Sequence, residues 1–255
     1  MLDTMRAYGL EKLAESGERE WLARRHAEYY RDLFERAAAE LEARPATEWL
    51  AEYGPKADNL RAALDWAFSP CGDAAIGVAL AAAAVPLWIR LSLVHECRSR
   101  VEQALAALGR GASRDACHEM KLQAALGTSL IYTRGPAGAA VGAAWTRARE
   151  IAESLDDAEY RLRSLWGLWS FHLNSGRYRV ALALAKEFLA LANKRPARND
   201  RLVGARMIGT AQHHLGDLKS ARRYFECALA DAVAAESGSF IARYQLDQQV
   251  AARAC

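Results

Sequence analysis

The chain has 255 residues, 52% of them apolar and 25% charged, which is the composition of a globular protein with ample material for a core. A formal net charge of +3 without any run of five or six basic residues excludes a nucleic-acid footprint. Five cysteines, an odd number with no C-x-x-C spacing, exclude a disulfide framework and a zinc site.

In chain order, the N-terminal stretch "MLDTMRAYGLEKLAES" carries an acid at Asp3 and no continuous apolar core, so it is not a signal peptide and the cytoplasm is the expected compartment. Residues 1–70 hold ten Lys/Arg against fourteen Asp/Glu, while residues 71–255 hold twenty-four against seventeen. Between Glu18 and Ala43, the residues Leu22, His26, Tyr29, Leu33, Phe34, Ala37 and Leu41 recur at i, i+3, i+4 steps and predict an amphipathic helix. Leu60, Ala63, Leu64, Ala67 and Phe68 predict another, ending at Pro70. The run from Ala74 to Val94 is apolar enough to consider as a membrane span. It is mostly alanine and contains Pro86 and Arg90, which favours a buried helix pair. Breaks at Gly17, Pro45, Gly54-Pro55, Ser69–Gly72, Gly109–Gly111, Gly135-Pro136, Gly176, Pro196, Gly216 and Gly238 divide the chain into about thirteen helices, with no strand. The fold class is all-α.

From about residue 114 the helices become comparable with one another. "HLNSGRYRVALALAKEFLAL", beginning at His172, and "HHLGDLKSARRYFECALA", beginning at His213, each place an alanine five residues after a turn glycine. Aligning Gly176 with Gly216 sets Ala181 beside Ala221, Ala185 beside Phe225, Phe188 beside Ala228, Leu168 beside Ile208 and Trp169 beside Gly209. A third copy, with one residue inserted, reads Gly135-Pro136, Val141, Trp145 and Ala148. Small residues at a helix crossing, a turn glycine, and alanine or aromatic residues facing the preceding helix form the tetratricopeptide scheme. The expected architecture is therefore an N-terminal helical junction segment over 1–70 and tetratricopeptide-like hairpins over 71–255, stacked into a curved α-solenoid.

No nucleophile stands in a G-x-S-x-G setting, and no G-x-x-x-x-G-K-[ST] loop is present. The adjacent residues Cys117-His118 and His213-His214 diverge around a helix, so neither pair chelates one metal. Asp156-Asp157 reads as a cap for a helix starting near Ala158. No catalytic, cofactor or metal site is expected. Trp145 and Trp169 read as core. Trp166 falls at the fifth position of a first helix, which lines the concave groove in this repeat type. The equivalent positions of the next repeat are Val203, Arg206, Thr210 and His213, and Arg163 and Asn174 extend the face. These seven residues are the candidate partner contacts; a solvated helix face is the alternative.

Longer phrases carry a resemblance. "LDTMRAYGLEKLAESGE" (Leu2–Glu18), "RRHAEYYRDLFERA" (Arg24–Ala37) and "WLAEYGPKADNLRAALDWAF" (Trp49–Phe68), with Asp58-Asn59-Leu60-Arg61 and Trp66, resemble the junction that joins the ATPase region to helical repeats in bacterial signal-transduction ATPases with numerous domains. Leu126–Trp169 and "RYQLDQQVAARA" (Arg243–Ala254) are similar to the repeat region of a subgroup of predicted ATPases or winged-helix transcriptional regulators. The resemblance implies an internal piece of such a regulator, either a truncated reading frame or a free-standing remnant. ATP hydrolysis does not transfer with it, because the phosphate loop is missing. The expected function is a non-catalytic module that binds a protein or small effector, with no direct nucleic-acid contact and no membrane. A structural oligomerisation scaffold is the alternative, and self-association stays open.

Overall fold

The computed structural model describes residues 3–110, 115–195 and 198–232. Every regular element among them is helical, and twelve α-helices alternate with short connections. The predicted break at Gly238 and the phrase Arg243–Ala254 lie outside the described residues, as does Pro196. The chain forms two compact units, residues 1–91 with 103–114 and residues 92–102 with 115–255.

The first unit contains α1 (Asp3–Ser16), α2 (Arg19–Glu40), α3 (Ala46–Tyr53), a 3-10 turn at Gly54–Lys56, α4 (Ala57–Ala67) and α5 (Ala74–Arg90). In α2 the predicted face is buried at Leu33, Phe34 and Ala37, whereas Leu22 and Tyr29 point to solvent. Leu60, Ala63, Leu64 and Ala67 of α4 are buried as their spacing predicts. The Ala74–Val94 run is one helix and a turn rather than a helix pair. Pro86 sits inside α5 without ending it, and α5 packs on α2 and α4. Asp73 caps α5 by accepting from the Ala75 and Ile76 N–H groups, and it also pairs with Arg24 at 3.0 Å. Arg90, the charge that argued against a membrane span, lies over the Trp49 ring at 4.8 Å and donates to the Leu41 carbonyl at 3.1 Å. Among the described residues no helix is long and apolar enough to cross a membrane.

Helix α6 (Val94–Arg110) has residues in both units. The rest of the second unit is α7 (Ala116–Arg134), α8 (Ala139–Ser154), α9 (Ala158–Asn174), α10 (Tyr178–Ala192), α11 (Arg198–His214) and α12 (Leu218–Ala232), each packed on the next. Its turns repeat in atomic detail. After α9, the Gly176 N–H donates to Leu173 O and the Arg177 N–H to His172 O. After α11, the Gly216 N–H donates to His213 O and the Asp217 N–H to Gln212 O, the same pair of bonds forty residues later. These are the crossed bonds of a Schellman motif, which needs a left-handed residue; φ is +73° at Gly176 and +84° at Gly216. The turn after α7 departs from this because Pro136 has no N–H to donate, and there Gly135 bonds to Ile131 O instead.

A third turn of this form was not legible as one. Asp156 adopts φ +50° after α8, its N–H donates to Glu153 O, and the Asp157 N–H donates to Ala152 O. Aspartate tolerates the left-handed region better than most residues, though less well than glycine. Asp157 then caps α9 by accepting from the Tyr160 N–H at 2.9 Å, as the sequence predicts. Asp157→Ala should therefore cost about 1 kcal/mol in chemical denaturation, with Asp157→Asn nearly neutral. Equal losses for the two variants would show that the cap contributes nothing there.

Close packing in this unit is built from glycines that seat large side chains. The Trp145 indole lies against Gly127 of α7 and Gly167 of α9, so that a Cβ on Gly167 would fall 2.2 Å from the ring. Phe171 is seated on Gly142, Leu189 on Gly204 and Phe225 on Gly209. The aligned pairs invert in size: where α11 and α12 set Gly209 against Phe225, α9 and α10 carry the buried residues Trp169 and Ala185.

Candidate interaction surface

The seven predicted contact residues divide by exposure. Trp145 and Trp169 are core, 3% and 4% exposed, as expected. Glu159, Arg163, Trp166, Ser170 and Asn174 recur at helical spacing along α9, and from Arg163 to Ser170 the row is half-buried. Trp166 packs by one side against the main core cluster. Asn174 is exposed, and its Nδ2 donates to Ser170 O at 2.8 Å.

On α11 the expected groove face is mostly covered. Val203 is fully buried, Arg206 is 4% exposed and Thr210 is 9% exposed; only His213 is open to solvent. This corrects the reading of those three as surface contacts. The physical reason is that α11 is buried along its whole length from Leu202 to Ala211, so the periodic argument finds a face but not what lies over it. Arg206 extends its guanidinium over the Trp169 ring at 5.2 Å, and the Thr210 hydroxyl donates to Arg206 O at 3.0 Å. Both polar residues are spent on holding α11 to α9 and on their own helix.

An ionic cluster borders the Trp166 row. Glu159 accepts from Arg163 at 3.0 Å and from Arg195 at 3.2 Å, and Arg195 lies 3.8 Å from the buried carboxylate of Asp200. Arg163 also lies 5.1 Å from the Tyr160 ring centre. Burial pushes the Tyr160 hydroxyl above the ordinary phenol range, with Arg163 pulling the other way. Glu159 thereby ties the first turn of α9 to the segment entering α11, a link between consecutive hairpins that spacing alone does not reveal. A planar Arg face beside a half-buried tryptophan is the surface composition found at binding hot spots.

Burial drives the Cys97 thiol up to about 12, so it stays protonated at neutral pH. Cys71, Cys117 and Cys227 are free and exposed. Among the described residues no three His, Cys, Asp or Glu side chains gather closely enough to hold a metal ion.

A second surface feature lies at the turn end of the hairpins. An open depression of about 330 Å³ is lined by Gly176, Arg177, Tyr178, Arg179, Val180 and Leu215. Tyr178 stacks on His214 with ring centres 4.9 Å apart and planes 9° from parallel. Sequence reasoning passed over these residues, although the run of Arg177, Arg179 and Val180 beside the turn glycine Gly176 was there to be read. No family model matches the chain, and no curated protein matches it.

Proposed function

We propose that the protein is a non-catalytic recognition module. Its second unit consists of tetratricopeptide-like hairpins stacked as a short α-solenoid, and it binds a protein or small effector through the face around Trp166 and Arg163. The observation that carries this reading is the repetition, forty residues apart, of one turn with the same two hydrogen bonds and the same buried small residue five positions later, Ala181 and Ala221. A hairpin of this kind cannot bury its core alone, so repetition implies stacking, and stacking produces a continuous surface suited to extended partners. The resemblance of the N-terminal phrases to regulatory ATPases places the module, as part of the same proposal, in cytoplasmic signal transduction that controls transcription. Asn174 and His213 stand exposed at the C-terminal ends of α9 and α11, and Arg163 and Trp166 lie half-buried earlier on α9.

Affinity capture from the source lysate with the purified full chain is expected to recover one partner in stoichiometric amount. The double variant Arg163→Ala/Trp166→Ala should lose that partner while keeping its helical content. Recovery of the chain itself and nothing else would replace recognition with a scaffold role. ATP should neither be hydrolysed nor raise the melting temperature, and a dissociation constant for ATP below about a micromolar, roughly −8 kcal/mol, would contradict the proposal.

A further inference from the structure

We infer that the depression at the turn end of the second unit is a docking site for an acidic peptide segment carrying an aliphatic anchor residue. The inference rests on the recognition reading above and adds a second contact surface and the chemistry of its occupant.

The floor of the depression is apolar and open to water. Val180 is 43% exposed and Leu215 40%. Two aliphatic side chains, one from each of two successive turns, form a patch wide enough for one partner side chain. Neighbouring aliphatics left in water at one place mark a contact surface more often than single exposed residues do. Tyr178, held by its stack on His214, supplies a rigid aromatic wall that needs no ordering on binding.

The charge around that floor has one sign. Arg177 and Arg179 are exposed, and among the described residues neither has a carboxylate partner; Arg177 rests on the Phe171 ring at 4.9 Å. This contrasts with Arg147, Arg149, Arg163 and Arg195 of the same unit, each of which is ion-paired. The acid at the rim, Asp217, is already engaged: it accepts from the Ser220 N–H at 3.1 Å, and that bond holds its carboxyl below the usual carboxylate range. Lys219 and Arg223 act on it in the same direction. An occupant complementary to this surface brings carboxylates to Arg177 and Arg179 and places an aliphatic side chain on Val180 and Leu215. A basic occupant meets unpaired arginines, and a wholly apolar one leaves them desolvated without partners. The concave form and the small number of cations favour a peptide over an anionic membrane, which presents a flat, laterally extended charge.

Two substitutions test this with little risk to folding. Arg179 and Val180 are exposed in the first turn of α10, where an acidic side chain favours the helix. Random short peptides would be selected for binding to the full chain, and enriched peptides then measured by fluorescence anisotropy against the chain, Arg179→Glu and Val180→Asp. The expected result is enrichment of Asp/Glu flanking Leu, Ile or Val, with binding about tenfold weaker or worse for each variant, the scale of one charge-assisted contact. Arg163→Ala/Trp166→Ala should leave these peptides bound. Enriched peptides that bind both α10 variants normally but not the Trp166 variant would overturn the docking site and leave the recognition module standing. No enrichment at all would count against both. Binding of phosphatidylserine vesicles, lost in Arg179→Glu and unaccompanied by acidic-peptide enrichment, would assign the surface to membrane and overturn the peptide assignment.

Discussion

Trp145→Ala is expected to destabilise the second unit by about 3–5 kcal/mol, the range for deleting a large buried aromatic side chain. Trp145 is 3% exposed and belongs to the main core cluster together with Ala124, Leu165 and Leu168. Its ring is held between two helices that approach closely because they carry Gly127 and Gly167 where it lies. Rearrangement cannot easily refill the space, since both walls are helix backbone. The companion substitution Gly167→Ala isolates the cause. Its Cβ would fall 2.2 Å from the indole, so in the natural background it should overpack the site and cost about 1–3 kcal/mol. With Trp145→Ala present the same methyl group enters empty space, and alanine's better helix propensity should then stabilise by up to about 1 kcal/mol. The sign of the Gly167→Ala effect is thus expected to reverse between the two backgrounds. Urea denaturation midpoints would read this directly, and equal effects in both backgrounds would show that Trp145 does not occupy the glycine seat.

The second large effect concerns the crossing in the last described hairpin. Ala221 is 2% exposed and stands five residues after Gly216, where α12 meets α11 beside the Gly209–Phe225 contact. Ala221→Leu should overpack it and destabilise by about 1–3 kcal/mol. Lys219 is exposed two residues earlier, and Lys219→Leu should stay within about 0.5 kcal/mol of the natural protein. Both changes put the same side chain into the first turn of the same helix, so propensity cancels and only the burial of the site separates them. Similar denaturation midpoints would remove Ala221 from the crossing.

Much of the fold was legible because glycine and proline punctuate it. Gly135, Gly176 and Gly216 end helices with positive φ, and the spacing that aligned Ala181 with Ala221 identified two buried residues at matching places. Other features were hidden for definite physical reasons. Asp156 ends α8 in the same conformation as the turn glycines, but an aspartate does not announce this. Pro86 looks like a helix terminator and is instead accommodated within α5. The surface was less legible than the core. Helical spacing placed Val203, Arg206 and Thr210 on one face, but exposure depends on the neighbours that face meets. A polar residue such as Thr210 can satisfy itself on its own helix and be buried. Arg163 and Trp166 kept their half-exposed places, and the Glu159 link that fixes Arg163 became visible only once α9 and Arg195 were seen together.

The proposed recognition role rests on the second unit being one hairpin used repeatedly, and a leucine scan of residues 158–195 and 198–232 tests that claim most directly. Each position would be replaced by leucine and the change in stability read from resistance to proteolysis. If the hairpins are copies in register, the two profiles should match best when displaced by the forty residues that separate Gly176 from Gly216, apart from the positions where Trp169 and Ala185 align with Gly209 and Phe225 and where half-buried Arg163 and Trp166 align with buried Val203 and Arg206. Losses at Ala181 and Ala221 should coincide, with tolerance at Arg179 and Lys219. Profiles that match at no displacement, or at one other than forty, would contradict the repeat and with it the shared face on which the proposed function depends.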